Sequence, residues 1–253
     1  MSRSRLKACS CIGQDRLRPR LSEWRAGVSE RKRAAAEASL YPLFLKLNGA
    51  PALVVGAGRV ARRKIEALLE CGAQVTVVAP EAEAEIAMWA EARRVAWHKR
   101  PFTPGDATGQ RLAIAATSDR AVNAAVAEAA RTQGALVNAV DMPDLCDFYV
   151  PAVVRRPPLL VAVSTAGNAP ALARRVREEL EARFPADIGA FFADVGTQRE
   201  TIKLRAPGKV ALWGERIAAC GAFEAALAGR TEEARRLVEA ATREFIDTED
   251  EQP

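Results

Sequence analysis

Residues 52–64 read ALVVGAGRVARRK. Ala52–Val55 is apolar without alternation, as in a strand buried on both faces. Gly56, Gly58 and Ala61 then form GxGxxA, and Ala61, Ile65, Leu68 and Leu69 recur at helical spacing through Arg59–Cys71. A strand, a glycine turn and a helix in that order suit a phosphate-bearing ligand. Gly56 permits the tight turn, Gly58 lets the backbone approach a pyrophosphate, and Ala61 lets helix and strand pack closely. The helix N-terminus adds free N–H groups and positive dipole. The competing reading is a tight structural turn.

On either side the rhythm persists. QVTVVA (Gln74–Ala79) is a β-branched strand after Gly72, a good helix-ending residue because it tolerates positive φ. A helix is predicted over Ala82–Ala92, strands over Val95–His98, Leu112–Ala116 and Leu136–Val140, and a helix over Asp119–Thr132. Apolar strands separated by helices predict an α/β fold, a doubly wound, Rossmann-type parallel sheet over residues 40–150. Phe148–Val154 and Leu159–Val163, joined by Arg-Arg-Pro-Pro, predict a hairpin-like arm, followed by a helix over Pro170–Phe184. Residues 151–184 therefore form a separate region, and 185–246 read as a small helical domain, with 247–253 frayed.

Composition narrows the function classes. Hydrophobic residues make up 49% of the chain, ample for a core, and no apolar run reaches membrane-spanning length. Five scattered cysteines suit a reducing cytoplasm better than a disulfide framework, and Cys9-x-Cys11 lacks nearby partners for a zinc set, so no metal site is expected. Of the net charge of +5, residues 1–40 carry +6, from ten Lys/Arg against four Asp/Glu, which leaves −1 for the rest. Residues 1–39 read as a basic, disordered leader. It has no aromatic interleaving, so nucleic acid is not an expected partner.

The strand ends supply candidates. In this fold an acid near the end of strand two often reads the ribose. Here the chain has Val78-Ala79-Pro80-Glu81, with Glu81 one or two positions late and expected on the following helix. Arg59, Arg62 and Arg63 can favour a 2′-phosphate, so NAD and NADP both stay open. Thr117 and Asn138 are candidates for the nicotinamide side, and Ser118 or Asp119 for a helix cap. Asp141 follows strand five, where a carboxylate at the cleft rim can act as a general base. Asp144 and Asp147, close together, are candidates for metal or substrate, with a polar turn as the simpler reading. His98 is the one histidine and reads as an edge-strand residue. Arg155, Arg156, Arg174 and Arg175 are candidate carboxylate receivers, or ordinary surface charge.

The string YPLFLKLNGAPALVVGAGRVARRKIEALLECGAQVTVVAP, then LAIAATSDRAVN and LVNAVDMPDLCDFYVPAVVRRPPLLVAVSTAGNAPALARRVREELE, resembles the siroheme synthase N-terminal module, the precorrin-2 dehydrogenase and sirohydrochlorin ferrochelatase family. The resemblance covers Leu40 to Phe184. It implies NAD-dependent oxidation of the tetrapyrrole precorrin-2 to sirohydrochlorin, ferrous iron as second substrate in members that also chelate, and a cytoplasmic homodimer with residues 151–184 as its dimerisation region. It also implies a separate uroporphyrinogen methyltransferase upstream. By motif position it assigns catalysis to Asp141, dinucleotide contacts to Arg59, Val60, Pro80 and Glu81, and the substrate side to Ser164 and Thr165, with Arg174 a candidate there. The chain departs from the family pattern at Ala57, where the turn is commonly Gly-Gly-Gly, and at Ala166, where a glycine pair is usual. A non-catalytic, NAD-sensing module is the reading from another class.

Overall fold

Alternate residues of the first strand enter opposite cores. In the computed structural model, which describes residues 40–250, Ala52 and Val54 of β1 (Pro51–Val55) join one buried cluster and Leu53 and Val55 the other. A strand needs such an unbroken apolar run only when both sheet faces are covered. The covering helices are α1 (Arg59–Glu70) and α2 (Ala84–Glu91) on the first face, and α3 (Arg120–Thr132) on the second. The sheet is parallel, in the order β3-β2-β1-β4-β5, with β2 Gln74–Val78, β3 Val95–His98, β4 Leu112–Ala115 and β5 Leu136–Ala139. The doubly wound expectation holds. The helix predicted from Ala82 begins only at Ala84, so Glu81 lies in the loop after β2 and not on the helix as expected.

The arm is an antiparallel pair, β6 (Ala152–Arg156) with β7 (Leu159–Val163). It starts four residues later than predicted, because Pro151 has no N–H to give a ladder and Phe148 packs into the core beneath α1 and α2. The two arginines read as a connection are strand residues, and Pro157-Pro158 alone makes the turn. Helix α4 (Pro170–Arg183) follows.

Four further helices, α5 (Ile188–Arg205), α6 (Val210–Ala219), α7 (Ala222–Leu227) and α8 (Thr231–Asp250), enclose a third core around Ile202, Trp213 and Val238. Trp213 is buried, and its indole N–H donates to Thr242 Oγ1 at 3.1 Å, which removes the cost of an unpaired buried donor. Gly189 lies so close to the hairpin turn that a Cβ there would stand 2.1 Å from the Pro157 carbonyl oxygen. The frayed end expected from residue 247 is helical through Asp250. The described residues from Leu45 form one compact unit. Leu40–Phe44 belong to another and are exposed without regular structure. The leader expected over 1–39 and Cys9-x-Cys11 lie outside the described residues. No helix among the described residues is long and apolar enough to cross a membrane.

Between β3 and β4, Asp106 is almost buried, with 7% of its side chain exposed. It accepts from Arg100 Nη2 at 2.5 Å and Nη1 at 2.8 Å, and from Thr103 N at 2.8 Å. The Arg100 guanidinium is the main cause holding its carboxyl down at about 2, from an ordinary 3.8. A folded-state pKa below the unfolded one stabilises above about pH 4, and that contribution fades as pH falls through about 2. Acid unfolding should show it: between pH 4 and 2 the native chain is expected to lose more stability to urea than the Asp106→Asn variant does. Parallel loss would remove Asp106 from the acid response.

Candidate functional site: the carboxyl rim of the parallel sheet

The strand partners Val78, Val55, Ala115 and Ala139 form one row across the sheet. Just beyond that row, backbone hydrogen bonds run Gly56 N to Val78 O (2.9 Å), Ala116 N to Val55 O (2.8 Å) and Val140 N to Ala115 O (2.9 Å). The rim therefore brings together the glycine turn, Pro80 and Glu81, Thr117, and Asp141. In sheets of this topology, ligands sit at that edge.

Gly56 has φ +100°, and a Cβ on it would meet the Ala116 carbonyl oxygen at 2.5 Å. Only glycine lets the β1 tip press against β4 in this way. Gly58 caps α1 with open space where its Cβ would be. No side chain caps this helix and no acid occupies its first turn, so the first bond within it is Arg62 N to Gly58 O at 2.9 Å. The N–H groups of Arg59, Val60 and Ala61 are the donors that an uncapped helix start leaves to a ligand. The residues present thus fit a dinucleotide pyrophosphate: backbone donors, room for close approach, and no competing carboxylate in the first turn.

Thr117 is tied into the β4–α3 turn. Its hydroxyl donates to Asn123 Oδ1 at 2.8 Å and accepts from Asp119 N at 3.2 Å, while Asn123 Nδ2 returns a bond to Thr117 O at 3.0 Å. Asn123 is 2% exposed, and six residues of separation hid this pairing in the sequence. Asp119 caps α3 through Ala121 N and Val122 N, as expected. Asn138 is also buried, and its amide donates to Phe148 O at 2.9 Å, so it secures the loop beyond Asp141.

Asp141 is exposed and has φ +57°, a left-handed conformation that costs an L-residue roughly 1–2 kcal/mol. Its turn is held on both sides. Cys146 Sγ donates to Ala139 O at 3.2 Å and accepts from Ala139 N at 3.3 Å. Asp147 accepts from Arg131 Nη2 at 2.7 Å and from Val137 N at 2.9 Å, which makes it a clamp for the loop. Strain maintained by surrounding bonds gathers at functional positions. Lys64 of α1, not singled out in the sequence, lies within electrostatic reach of Cys146. Burial, with Arg63 adding to it, pulls its ammonium pKa down, and Cys146 opposes that shift.

Farther along, Ser164 Oγ accepts from Ala166 N and Thr165 Oγ1 from Ala169 N, both at 3.1 Å, so each hydroxyl orders the loop into α4 while its own proton stays available. Among the described residues no hydrogen bond or ion pair joins Ser164, Thr165 or Arg174 to Asp141. Of the four arginines Arg155, Arg156, Arg174 and Arg175, Arg155 pairs with Glu70 (3.2 Å), Arg156 with the Phe184 carbonyl (3.2 Å) and Glu181 (3.5 Å), and Arg175 with Glu179 (3.0 Å). Arg174 alone of the four is exposed and unpaired among the described residues.

Two family models match the chain: a putative NAD(P)-binding domain over residues 43–152 and the central domain of sirohaem biosynthesis proteins over 156–183. A siroheme synthase of Methylococcus capsulatus is 48% identical over 204 residues, 79% of this chain and 43% of that protein. Siroheme synthase 1 of Pectobacterium atrosepticum is 40% identical over 214 residues, 83% and 44% respectively. The chain is thus similar to siroheme synthases over about four fifths of its own length. It spans less than half the length of these curated relatives. A solved structure of SirC, a precorrin-2 dehydrogenase, superimposes with TM-score 0.62 at 27% identity, covering 83% of this chain and 98% of that one. The first domain thus binds an NAD(P)-type dinucleotide.

The two departures from the family's glycine pattern differ in consequence. Ala57 has negative φ and is buried without strain, whereas Ala166 has φ +50°. Ala166→Gly is therefore expected to raise unfolding free energy by about 1 kcal/mol. Gly56→Ala should lower it by about 3 kcal/mol, from left-handed strain plus backbone overlap. Urea unfolding curves check both, and a neutral Gly56→Ala would show that the β1 tip relaxes freely.

Proposed function

We propose that the chain oxidises precorrin-2 to sirohydrochlorin, with NAD as the hydride acceptor. The observation that carries the reading is Asp141, an exposed carboxylate in a strained turn on the same rim as an uncapped glycine turn. The relatives' names and the likeness to SirC support the substrate. The oxidation removes two hydrogens from the macrocycle: one leaves with its electron pair and reduces NAD to NADH, and the other leaves as a proton. The bound dinucleotide supplies the hydride acceptor. Asp141 takes the proton, which requires reach before it requires a tuned pKa.

In this reading Gly56, Gly58, Arg59 and Val60 hold the pyrophosphate. Pro80 and Glu81 border the adenosine ribose. Thr117 and Asn138 shape the nicotinamide side. Arg174, with Ser164 and Thr165, receives the substrate's carboxylates, since guanidinium matches carboxylate geometry and Arg174 has no acid partner among the described residues. Ferrous iron is assigned to the same Asp141 face as a second substrate, with Asp141 accepting pyrrole protons.

We assign residues 151–184 to a homodimer interface, in a plan with residues 40–150 for the dinucleotide and 185–246 as the helical domain. The arm has only two strands, and Leu160, Leu172 and Val176 on β7 and α4 are 39%, 65% and 44% exposed. Apolar side chains gathered there suit burial by a partner. A cytoplasmic setting, with a separate uroporphyrinogen methyltransferase upstream, fits the free thiols Cys71, Cys146 and Cys220.

The test is anaerobic turnover of precorrin-2 and NAD, followed by NADH and sirohydrochlorin absorbance, with ferrous iron added last. Asp141→Asn is expected to slow sirohydrochlorin formation by about 100-fold or more while NAD affinity holds. Full turnover by that variant would remove Asp141 from catalysis. NAD binding by the native chain without any NADH formed would favour the sensor reading.

A further inference from the structure

We propose that Glu83 and Glu85 select NAD against NADP by neutralising Arg62, a cation that faces the loop after β2, where a 2′-phosphate would be received. This rests on the reading that an NAD-type dinucleotide binds at the glycine turn. In this fold the adenosine 2′ position is read near the end of β2, by an acid for NAD or by an arginine for NADP. Here the end of β2 has no acid: Val78 is followed by Ala79 and Pro80, and the Ala79 carbonyl accepts from Trp97 Nε1 at 3.0 Å. The last residues of β2 therefore supply no carboxylate to read the ribose directly, and the acids that remain nearby lie in the following loop and at the start of α2.

Arg62 stands one turn into α1, with its side chain 27% exposed. Its Nη1 donates to Glu85 Oε2 at 2.8 Å, and its Nε lies 3.7 Å from Glu83 Oε2. The acids are fixed relative to the turn, because Glu83 N donates to Ala57 O at 3.0 Å and Glu83 O accepts from Ile86 N at 3.0 Å as α2 begins. The β2–α2 loop is thus bonded directly to Ala57, the residue between the two glycines of GxGxxA. A phosphate arriving here meets a guanidinium already shared between two carboxylates, with exposed Glu81 in the same loop. A 2′-hydroxyl brings no charge and meets no such repulsion. An arginine that would otherwise bind phosphate through two parallel bonds is masked by its neighbours.

Calorimetric titration of the full chain with NAD and with NADP reads this without turnover. The native chain is expected to bind NAD at least about tenfold more tightly. Glu83→Gln with Glu85→Gln should narrow that ratio by about tenfold, chiefly through tighter NADP binding, and adding Arg62→Met should take the gain away. If circular dichroism shows the double variant unfolded, Glu85→Gln alone, which removes the 2.8 Å partner, should narrow the ratio by about threefold. An unchanged ratio in a folded variant that still binds both dinucleotides would overturn the proposal and leave the glycine-turn reading intact. A native chain that binds neither dinucleotide would overturn both.

Discussion

The Gly56 backbone at the tip of β1 leaves no room for a side chain between itself and Ala116, and this close approach sets the geometry of the entire rim. Because β1 is the central strand, its tip fixes where α1 begins, and the start of α1 is where uncapped N–H groups face outward. The same approach aligns the end of β4, so that Thr117 and the cap of α3 follow at a fixed distance. A bulkier residue at position 56 would move the helix start and the β4 turn together. Ligand affinity at this edge is therefore bound up with core packing, since β1 feeds both buried clusters.

At the other side of the rim, the turn carrying Asp141 shows the reverse arrangement. There an L-residue occupies a left-handed conformation, and several polar contacts hold it: the Cys146 thiol on the Ala139 backbone, the Asn138 amide on Phe148, and the Asp147 clamp on Val137 and Arg131. None of these groups needs to touch a ligand to matter. They hold the backbone from which one exposed carboxylate projects, the kind of support that a group acting at a fixed point requires.

What was legible in the sequence follows from the range of the interactions involved. Strands β1, β2, β4 and β5 and helices α1 and α3 were legible because burial on both faces imposes a local pattern of apolar runs and helical spacing. GxGxxA was legible because the turn's constraints fall on three nearby residues. The start of β6 was misplaced because Phe148–Val150 is as apolar as a strand, yet Phe148 is used to close a core and Pro151 interrupts pairing. Glu81 reads as helical because the apolar pattern already starts at Ala82, yet the helix begins at Ala84. The Thr117–Asn123 pair, the Cys146 contacts and the sign of φ at Asp141 and Ala166 leave no periodic trace, since each depends on how separate segments meet.

The arginines make the same point for function. Arg62, Arg155, Arg156, Arg174 and Arg175 are indistinguishable in sequence as anion receivers, each lying near a segment that a ligand might approach. Their fates differ through their partners: Glu83 and Glu85 across a loop, Glu70 from α1, Glu181 of α4 with the Phe184 carbonyl just beyond it, and, for Arg175, Glu179 one turn along the same helix. A guanidinium already facing a carboxylate offers a new anion little net attraction, because the arriving charge feels both members of the pair. Counting cations therefore overstates how many can bind substrate or cofactor. The useful count is of those whose donors the fold leaves uncommitted, and among these five only Arg174 qualifies within the described residues.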